Sequence, residues 1–153
     1  GASSGIGENL AHQLAMAGAH LILSARNQTK LESLKVNLTN SDSHLVLPLD
    51  LANLADTHAY TDQILAKFGK IDILINNGGV SQRASAAETT MEVNRQLMEV
   101  NFFGNVALAK AVLPIFRLLI TGTGMGPSMF EIASFLGKEE VVERMKVGME
   151  KLG

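Results

Sequence analysis

The sequence contains no cysteine, and only one of its 153 residues is a tyrosine. The absence of cysteine excludes a disulfide framework and thiol catalysis, and it is compatible with a reducing compartment. The four histidines lack the short spacing of a metal-binding motif, so the sequence predicts no metal site. No apolar run reaches the length of roughly 18 residues that a membrane-spanning helix needs.

Charge is also scarce, because Asp, Glu, Lys and Arg make up 18% of the chain and the formal net charge is −2. This balance does not indicate nucleic-acid binding, which usually requires a basic surface. The hydrophobic fraction of 46% and the length are typical of one globular domain.

Glycine, in contrast, is frequent, and three glycines fall within residues 1–7, directly before an amphipathic helix. Glycine lets backbone N–H groups approach an anion, and the start of a helix offers unpaired donors and the positive end of its dipole. The loop therefore predicts a phosphate site, although turn chemistry alone also explains such a string. Because such loops follow a strand, we expect the first strand to be missing from a chain that begins inside the motif.

Helical and strand-like segments alternate after this loop. Thr29 and Glu32 have the form of a capping box, Asp56 is placed to cap the next helix, and Gly69 and Pro114 are placed to end helices. The predicted helices cover residues 6–20, 28–38, 56–68 and 91–113. The predicted strands cover residues 21–25, 44–49 and 71–75. This alternation predicts an α/β fold with a parallel sheet that is covered on both faces.

Several polar or glycine-containing segments follow the predicted strands. Arg26 follows the first of them, Asp50 the second, and Asn76-Asn77-Gly78-Gly79 the third. Ligands bind such sheets at the carboxyl ends of the strands, so we expect these segments and the glycine loop to lie together.

The order and spacing of Gly1-Gly5-Gly7, Asp50, residues 76–79 and Asn101 resemble those of the short-chain dehydrogenases/reductases, from Gly1 to about Pro114. The resemblance implies a Rossmann-type doubly wound parallel sheet, incomplete here because its first strand and C-terminal half are missing. It also implies hydride transfer between NAD(P)H and a small-molecule carbonyl or alcohol, and it leaves a homo-oligomer open. For the full-length family member that this chain resembles, it implies localisation at the endoplasmic-reticulum membrane.

The resemblance further assigns the cofactor site residue by residue. The glycine loop would surround the pyrophosphate, and Asp50 would accept from the adenine amino group. Asn76 is interpreted as a hydrogen bonder that stabilises its strand, and Gly79 has turn geometry as an alternative role. The predicted cofactor-binding residues are Gly1, Ser3, Ser4, Gly5, Ile6, Gly7, Arg26, Asp50, Leu51, Asn77, Gly78 and Gly79.

Arg26 bears on the choice of cofactor. NAD-type sites place an acid just after the second strand of the complete fold, where it binds the ribose hydroxyls. That strand corresponds to the first predicted strand of this chain, residues 21–25. This chain has Ala25-Arg26 instead, and a guanidinium group matches the geometry of a phosphate. The sequence therefore favours NADP(H) over NAD(H), the alternative being an ordinary surface arginine. Thr29 and Lys30 would then either strengthen a basic pocket or simply begin a helix.

The catalytic residues of the family are only partly present. Asn101 matches the family's asparagine, whereas the tyrosine and the lysine that lowers its pKa are absent. Tyr60 lies in an earlier helix and is interpreted as a half-buried packing residue. Thr123 falls near the position of the catalytic serine, although the loop that the family has before that position is absent. Phe135 stands near the tyrosine position without a hydroxyl group. The chain alone is therefore predicted to lack activity.

The divergent tail, residues 115–153, follows the partial nucleotide-binding domain of residues 1–114. It is predicted to contain a strand at residues 117–121 and a helix at residues 138–152, and residues 118–126 also fit a strand with a second glycine-rich turn. Three functions stay open: a fragment of an NADP-dependent oxidoreductase, a non-catalytic nucleotide-binding or interaction protein, and a product of truncation without function.

Overall fold

The computed structural model describes the backbone of residues 1–53, 57–121 and 129–152, and the side chains of residues 1–53, 59–112 and 131–148. Within these residues helices alternate with short parallel strands, as the sequence predicts. The helices are α1 Gly5–Met16, α2 Gln28–Val36, α3 Thr57–Phe68, α4 Met91–Met98, α5 Gly104–Thr121 and α6 Met129–Leu152. The strands are β1 Ile22–Leu23 and β2 Leu45–Val46, a 3-10 turn spans Ser41–Ser43, and a π-helix spans Glu99–Phe103.

The chain divides into two compact units. The first comprises Gly1–Tyr60 and Ile75–Leu108, and the second comprises Thr61–Leu74 and Ala109–Gly153. All the predicted cofactor-binding residues, together with Asn101, belong to the first unit.

A parallel pair of strands forms the sheet of the first unit, with Ile22 opposite Leu45 and Leu23 opposite Val46. The ladder extends beyond the assigned strands, because the Leu49 amide still donates to the Ala25 carbonyl at 3.1 Å. The two strands therefore run side by side toward Arg26 and Asp50.

The core of the first unit packs α1 and α2 against β1. Alanines of α1, leucines of α2, Leu38 just beyond α2 and Leu23 of β1 share this buried cluster. The members of this cluster are Ala11, Ala15, Leu23, Leu31, Leu34 and Leu38. Leu31 is fully buried, with 0% of its surface exposed. Burial of a leucine side chain contributes roughly 1.5–3 kcal/mol to the free energy of folding. This cluster therefore stabilises the helices and the strand next to the glycine loop.

The turn between α2 and β2 is held by a buried histidine. His44 is 1% exposed, its Nδ1 accepts from the Leu21 amide at 3.2 Å, and its Nε2 bonds the Thr39 carbonyl at 2.9 Å. These partners require the neutral tautomer with its proton on Nε2. His44 thereby joins the start of β1 to the turn before β2.

In the second unit, the part of α3 from Thr61 to Phe68 ends at Gly69, which has a φ of 71°. Ile64 and Ile71 are buried. α6 is bent at Gly137, where φ is 77° and ψ is 164°, and it covers residues 138–152, which were predicted to be helical.

The prediction of a strand at residues 71–75 is wrong. This segment has no strand ladder in the part of the chain that the structure describes. Ile73 is 74% exposed and Ile75 is 48% exposed, although a central strand would bury both. An apolar run becomes a strand only where a neighbour supplies hydrogen-bond partners, and none of the described residues does so here.

The predicted helix end at Pro114 and the predicted strand at residues 117–121 are also wrong, because α5 continues through Pro114 to Thr121. Proline inside a helix removes one backbone hydrogen bond but does not always end the helix. The proposed cap Asp56 and the alternative glycine-rich turn after residue 121 lie outside the described residues.

The start of α2 differs from its prediction in one detail. The cap is Asn27, whose Oδ1 accepts from the Lys30 amide at 2.9 Å, and not Thr29. Asparagine is among the strongest N-cap residues, so its position one residue before the helix takes precedence over the capping box.

Candidate functional site

The glycine loop runs directly into α1. Gly5 opens the helix with a φ of 58°, in the left-handed region that favours glycine, and open space lies beside it. Ser4 precedes α1, yet its side chain makes no capping hydrogen bond in this described segment. The first N–H groups of α1 therefore point out of the helix without a side-chain acceptor from Ser4, as an anion site requires.

Gly7 explains why the loop is so compact. A Cβ atom at this position would overlap the Gly1 carbonyl oxygen and would lie 2.6 Å from the Asn77 side-chain nitrogen. Only glycine fits between these groups, so the spacing of the motif follows from contact with another part of the chain.

The loop is anchored to the end of β1 through Ser24. The Ser24 carbonyl accepts from the nitrogen of Gly1 at 2.7 Å and from that of Ala2 at 3.0 Å. The Ser24 hydroxyl is hydrogen-bonded to the Tyr60 hydroxyl. The position of the loop is thus tied to the strand end that leads, two residues later, to Arg26.

Tyr60 has a more specific environment than a half-buried packing role predicts. Its side chain is buried, and its hydroxyl group contacts Ser24 at the end of β1. Burial raises the pKa of Tyr60, while the hydrogen bond with Ser24 acts in the opposite direction. The sole tyrosine of the chain is therefore a neutral group held in place at physiological pH.

The corner formed by residues 76–80 meets the glycine loop through Asn77. The Asn77 side-chain nitrogen donates to the Gly1 carbonyl at 3.1 Å, and a Cβ on Gly1 would lie 2.8 Å from the backbone of Asn77 and Gly78. Asn76 is exposed. The structure thus brings together two of the segments that were predicted to form the site.

The other end of this corner is held by Asn101, which lies in the π-helix. Its Oδ1 accepts from the Val80 amide at 2.8 Å, and its Nδ2 donates to the Val80 carbonyl at 2.8 Å. A Cβ on Gly79 would lie 3.2 Å from the Asn101 Oδ1, which is tighter than an ordinary contact. The φ of Gly79 is not positive, so space for Asn101, rather than turn geometry, gives the physical reason for glycine at this position.

Asp50 and Leu51 follow the end of the ladder formed by β1 and β2. Asp50 is exposed, and one carboxylate oxygen accepts from the Ala52 amide at 3.0 Å. Leu51 fills the space beside two glycines: a Cβ on Gly78 would lie 2.7 Å from its Cδ1, and one on Gly104 would overlap its carbonyl oxygen. Leu51 therefore packs against the corner at Gly78, while the carboxylate of Asp50 is exposed and accessible to a ligand.

Arg26 is exposed and immediately precedes Asn27, the cap of α2. Thr29 and Lys30, in the first turn of α2, are exposed as well. The predicted basic group thus lies at the carboxyl end of β1 with its side chain open to solvent.

Two other residues, Thr123 and Phe135, stand near the predicted catalytic positions. Thr123 lies outside the described residues. Phe135 belongs to α6 in the second unit and is 89% exposed. Among the described residues no group of three metal-binding side chains converges, and no helix is long and apolar enough to cross a membrane.

Sequence reasoning missed three supports of the site: the bond between Tyr60 and Ser24, the clamp of Asn101 on Val80, and the π-helix itself. One signal was visible, since Asn105 places a polar amide one turn after Asn101 in a mostly apolar helix. The other contacts join residues that are 21 or 36 positions apart, which no local pattern indicates.

A sequence profile described as short chain dehydrogenase matches residues 1–145. Human dehydrogenase/reductase SDR family member 7 is 50% identical over 120 residues, which cover 74% of this chain and 35% of that protein. Dehydrogenase/reductase SDR family protein 7-like from Drosophila melanogaster is 42% identical over 156 residues, which cover 99% of this chain and 46% of that protein.

The profile and the Drosophila relative both extend past Pro114, beyond the limit that the motifs alone indicate. Among solved structures, an alcohol dehydrogenase from the archaeon Thermococcus sibiricus, complexed with 5-hydroxy-NADP, matches with a TM-score of 0.71 and 29% identity. The match covers 76% of this chain and 51% of that one. The chain spans between a third and a half of the length of the curated relatives named above, 35% and 46% respectively.

Proposed function

Because the chain belongs to the short-chain dehydrogenase/reductase family, we propose that it forms the cofactor-binding part of an NADP-dependent oxidoreductase. The reaction of that enzyme is hydride transfer between NADP(H) and a small-molecule carbonyl or alcohol. One observation carries the proposal: Asn77 bonds Gly1 at 3.1 Å, so the glycine loop and the corner after residue 75 form one surface. The chain spans 35% and 46% of the length of the two curated relatives, so the activity is proposed for a protein of their full length.

The glycine loop fits a pyrophosphate for two reasons. The N-terminus of α1 lacks a side-chain cap from Ser4, and open space lies beside Gly5. Backbone N–H groups and the helix dipole favour an anion at such a position. Gly1, Ser3, Ser4, Gly5, Ile6 and Gly7 are the residues that would surround it.

The remaining contacts would follow the strand ends. Asp50 is exposed beyond β2, and the carboxylate oxygen that does not bond Ala52 is suited to accept from the adenine amino group. Asn77 and Gly79 would border the cofactor, with Gly78 and Leu51 supporting them. When bound, the cofactor supplies or accepts the hydride, and these residues bind and orient it.

The preference for NADP(H) rests on Arg26. Its side chain is exposed just after β1, and no acidic residue occurs between β1 and Leu31. An arginine binds the 2′-phosphate through charge-assisted hydrogen bonds, whereas the 2′-hydroxyl of NAD needs an acceptor that is missing here. The related alcohol dehydrogenase of Thermococcus sibiricus is described with a bound NADP derivative, which agrees with this preference.

For the 153-residue chain by itself, one observation favours a second function, that of a nucleotide-binding unit without turnover. The only tyrosine is buried, with its hydroxyl group hydrogen-bonded to Ser24, so it is not exposed to a substrate as a general acid would be. Loss of a positioned general acid lowers the rate roughly 10²- to 10⁴-fold. Asn101 alone does not replace it.

Calorimetric titration of the chain with NADPH, NADH and, as a control, AMP tests the binding proposal. We expect one site per chain and tighter binding of NADPH than of NADH. Equal affinity for NADPH and NADH would overturn the preference, and absence of binding to both would overturn the cofactor site.

Turnover is tested separately, by NADPH oxidation with a panel of aldehydes, ketones and quinones. The comparison protein is a longer chain that continues into a serine and a tyrosine-x-x-x-lysine sequence. Turnover by the 153-residue chain within about tenfold of the longer chain would contradict the proposed lack of activity.

A further inference from the structure

The π-helix Glu99–Phe103 interrupts an otherwise continuous helix that begins at Met91. Its widened turn is marked by a bond from the Gly104 amide to the Glu99 carbonyl, five residues earlier. Such turns are rare and less favourable than α-helix, and they occur mostly as single turns at functional positions. Other contacts must therefore hold this one in place.

Asn105 supplies these contacts. Its side-chain nitrogen donates to the Asn101 carbonyl at 3.0 Å and to the Val100 carbonyl at 3.3 Å. Asparagine has low helix propensity because its side-chain amide competes for backbone hydrogen-bond partners. Here the amide bonds two carbonyl groups of the widened turn. A single half-buried side chain thus satisfies two backbone acceptors of the π-helix.

The widened turn determines where Asn101 points. Each residue of an α-helix rotates the chain by about 100°, so the extra residue of the π-helix changes the direction of Asn101 relative to α5. In the observed direction, the Asn101 amide makes two hydrogen bonds of 2.8 Å to the backbone of Val80. A return to regular α-helix would turn this amide away from Val80.

Val80 closes the corner whose other end contacts the glycine loop. Asn77, three residues earlier, bonds Gly1 at 3.1 Å and lies against Gly7. The corner is therefore held at two points, one on the glycine loop and one on the π-helix. Loss of the contact between Asn101 and Val80 would therefore free one end of the corner, which is part of the proposed cofactor site.

We propose that Asn105 is a positioning residue for cofactor binding: its amide holds the π-helix open, and the π-helix directs Asn101 at Val80. The effect on binding rests on the proposed function. The effect on the contact between Asn101 and Val80 does not rest on it, because this contact lies within the chain.

Asn105→Leu removes the donor at similar size, and Asn105→Thr keeps one, since a threonine hydroxyl bonds the carbonyl four residues earlier. Asn94→Leu, on exposed α4, is the matched control. Hydrogen exchange of the Val80 amide is measured without cofactor, together with the midpoint of global unfolding. We expect Asn105→Leu to accelerate this exchange at least fivefold, and the Thr and control variants to stay within about twofold of the parent chain.

In a parallel titration, Asn105→Leu is expected to weaken NADPH binding about fivefold, with Asn105→Thr close to the parent chain. If Asn105→Leu does not fold, Asn105→Asp removes the donor at the same shape and gives the same comparison. Unchanged Val80 exchange in the variant without a donor overturns the proposed role. Faster exchange with unchanged NADPH affinity overturns its link to the cofactor. A parent chain that binds no dinucleotide refutes the proposed function, and Val80 exchange alone then decides whether Asn105 holds the contact between Asn101 and Val80.

Discussion

The side-chain nitrogen of Asn77 donates a hydrogen bond to the carbonyl oxygen of Gly1 at 3.1 Å, although 76 residues separate them in the chain. The same side chain leaves no room for a Cβ atom at Gly7. Two sequence motifs that look independent, the glycine loop and the Asn-Asn-Gly-Gly corner, are therefore parts of one packed surface.

Replacement of Asn77 by leucine removes this bond at similar volume. A neutral hydrogen bond contributes about 0.5–1.5 kcal/mol, so NADPH binding should weaken by roughly 2- to 12-fold as the loop loses its support. Calorimetry measures the change. Asn76→Leu is the control, because it removes the neighbouring amide and leaves the bond between Asn77 and Gly1 in place. Equal losses in both variants would show that the bond to Gly1 has no part in binding.

Replacement of Arg26 by aspartate should reverse or abolish the preference for NADPH over NADH. A charge-assisted contact contributes about 1.5–3 kcal/mol, which corresponds to a loss of roughly 10- to 150-fold in NADPH affinity. The aspartate also supplies an acceptor for the ribose hydroxyls of NADH. Arg95→Asp, which makes the same charge change on exposed α4, should alter the two affinities equally. An unchanged ratio of NADPH to NADH affinity in Arg26→Asp would contradict the assignment of Arg26 to the 2′-phosphate.

Stability of the first unit should depend on His44. His44→Leu leaves the Leu21 amide and the Thr39 carbonyl without their buried partner, at a cost of about 1–3 kcal/mol in the free energy of unfolding. His44→Gln keeps one donor and one acceptor and should lose less. Urea denaturation followed by circular dichroism provides the comparison. A leucine variant as stable as the parent chain would mean that these two bonds do not stabilise the fold.

Tyr60 predicts a pH effect with a definite sign. Because its pKa is raised in the folded chain, the unfolded chain releases the proton first, at about pH 10. The stabilising contribution is complete below that pH and decreases as the pH rises toward the folded pKa. As the sole tyrosine, it can be followed through its phenolate absorbance in native and denatured chains. Coincident titration curves would contradict the burial of its hydroxyl, and Tyr60→Phe provides the blank.

Local patterns predicted the first half of the fold well. The helical period of α1 and the apolar runs of β1 and β2 express short-range preferences that the structure retains. The run at residues 71–75 has an equally strong pattern and forms no ladder among the described residues. Pattern indicates which segment is able to form a strand, whereas pairing depends on a neighbour from elsewhere.

The site was predicted as a set of segments but not as a set of contacts. The family resemblance identified Gly7, Asn77 and Asn101 by position. It did not indicate that Asn101 binds the Val80 backbone or that the helix widens there, because both features depend on contacts between segments that are distant in the sequence. Interactions between distant backbone groups become visible only once the chain is folded.

The most direct test of the account is residue-resolved hydrogen exchange of the 153-residue chain with and without saturating NADPH. We expect protection at the amides of residues 2–8, beside Arg26 and at residues 77–80, with α6 unchanged. NADPH binding that leaves the glycine loop unprotected, or that protects only other segments, would contradict the assignment of the cofactor to this surface.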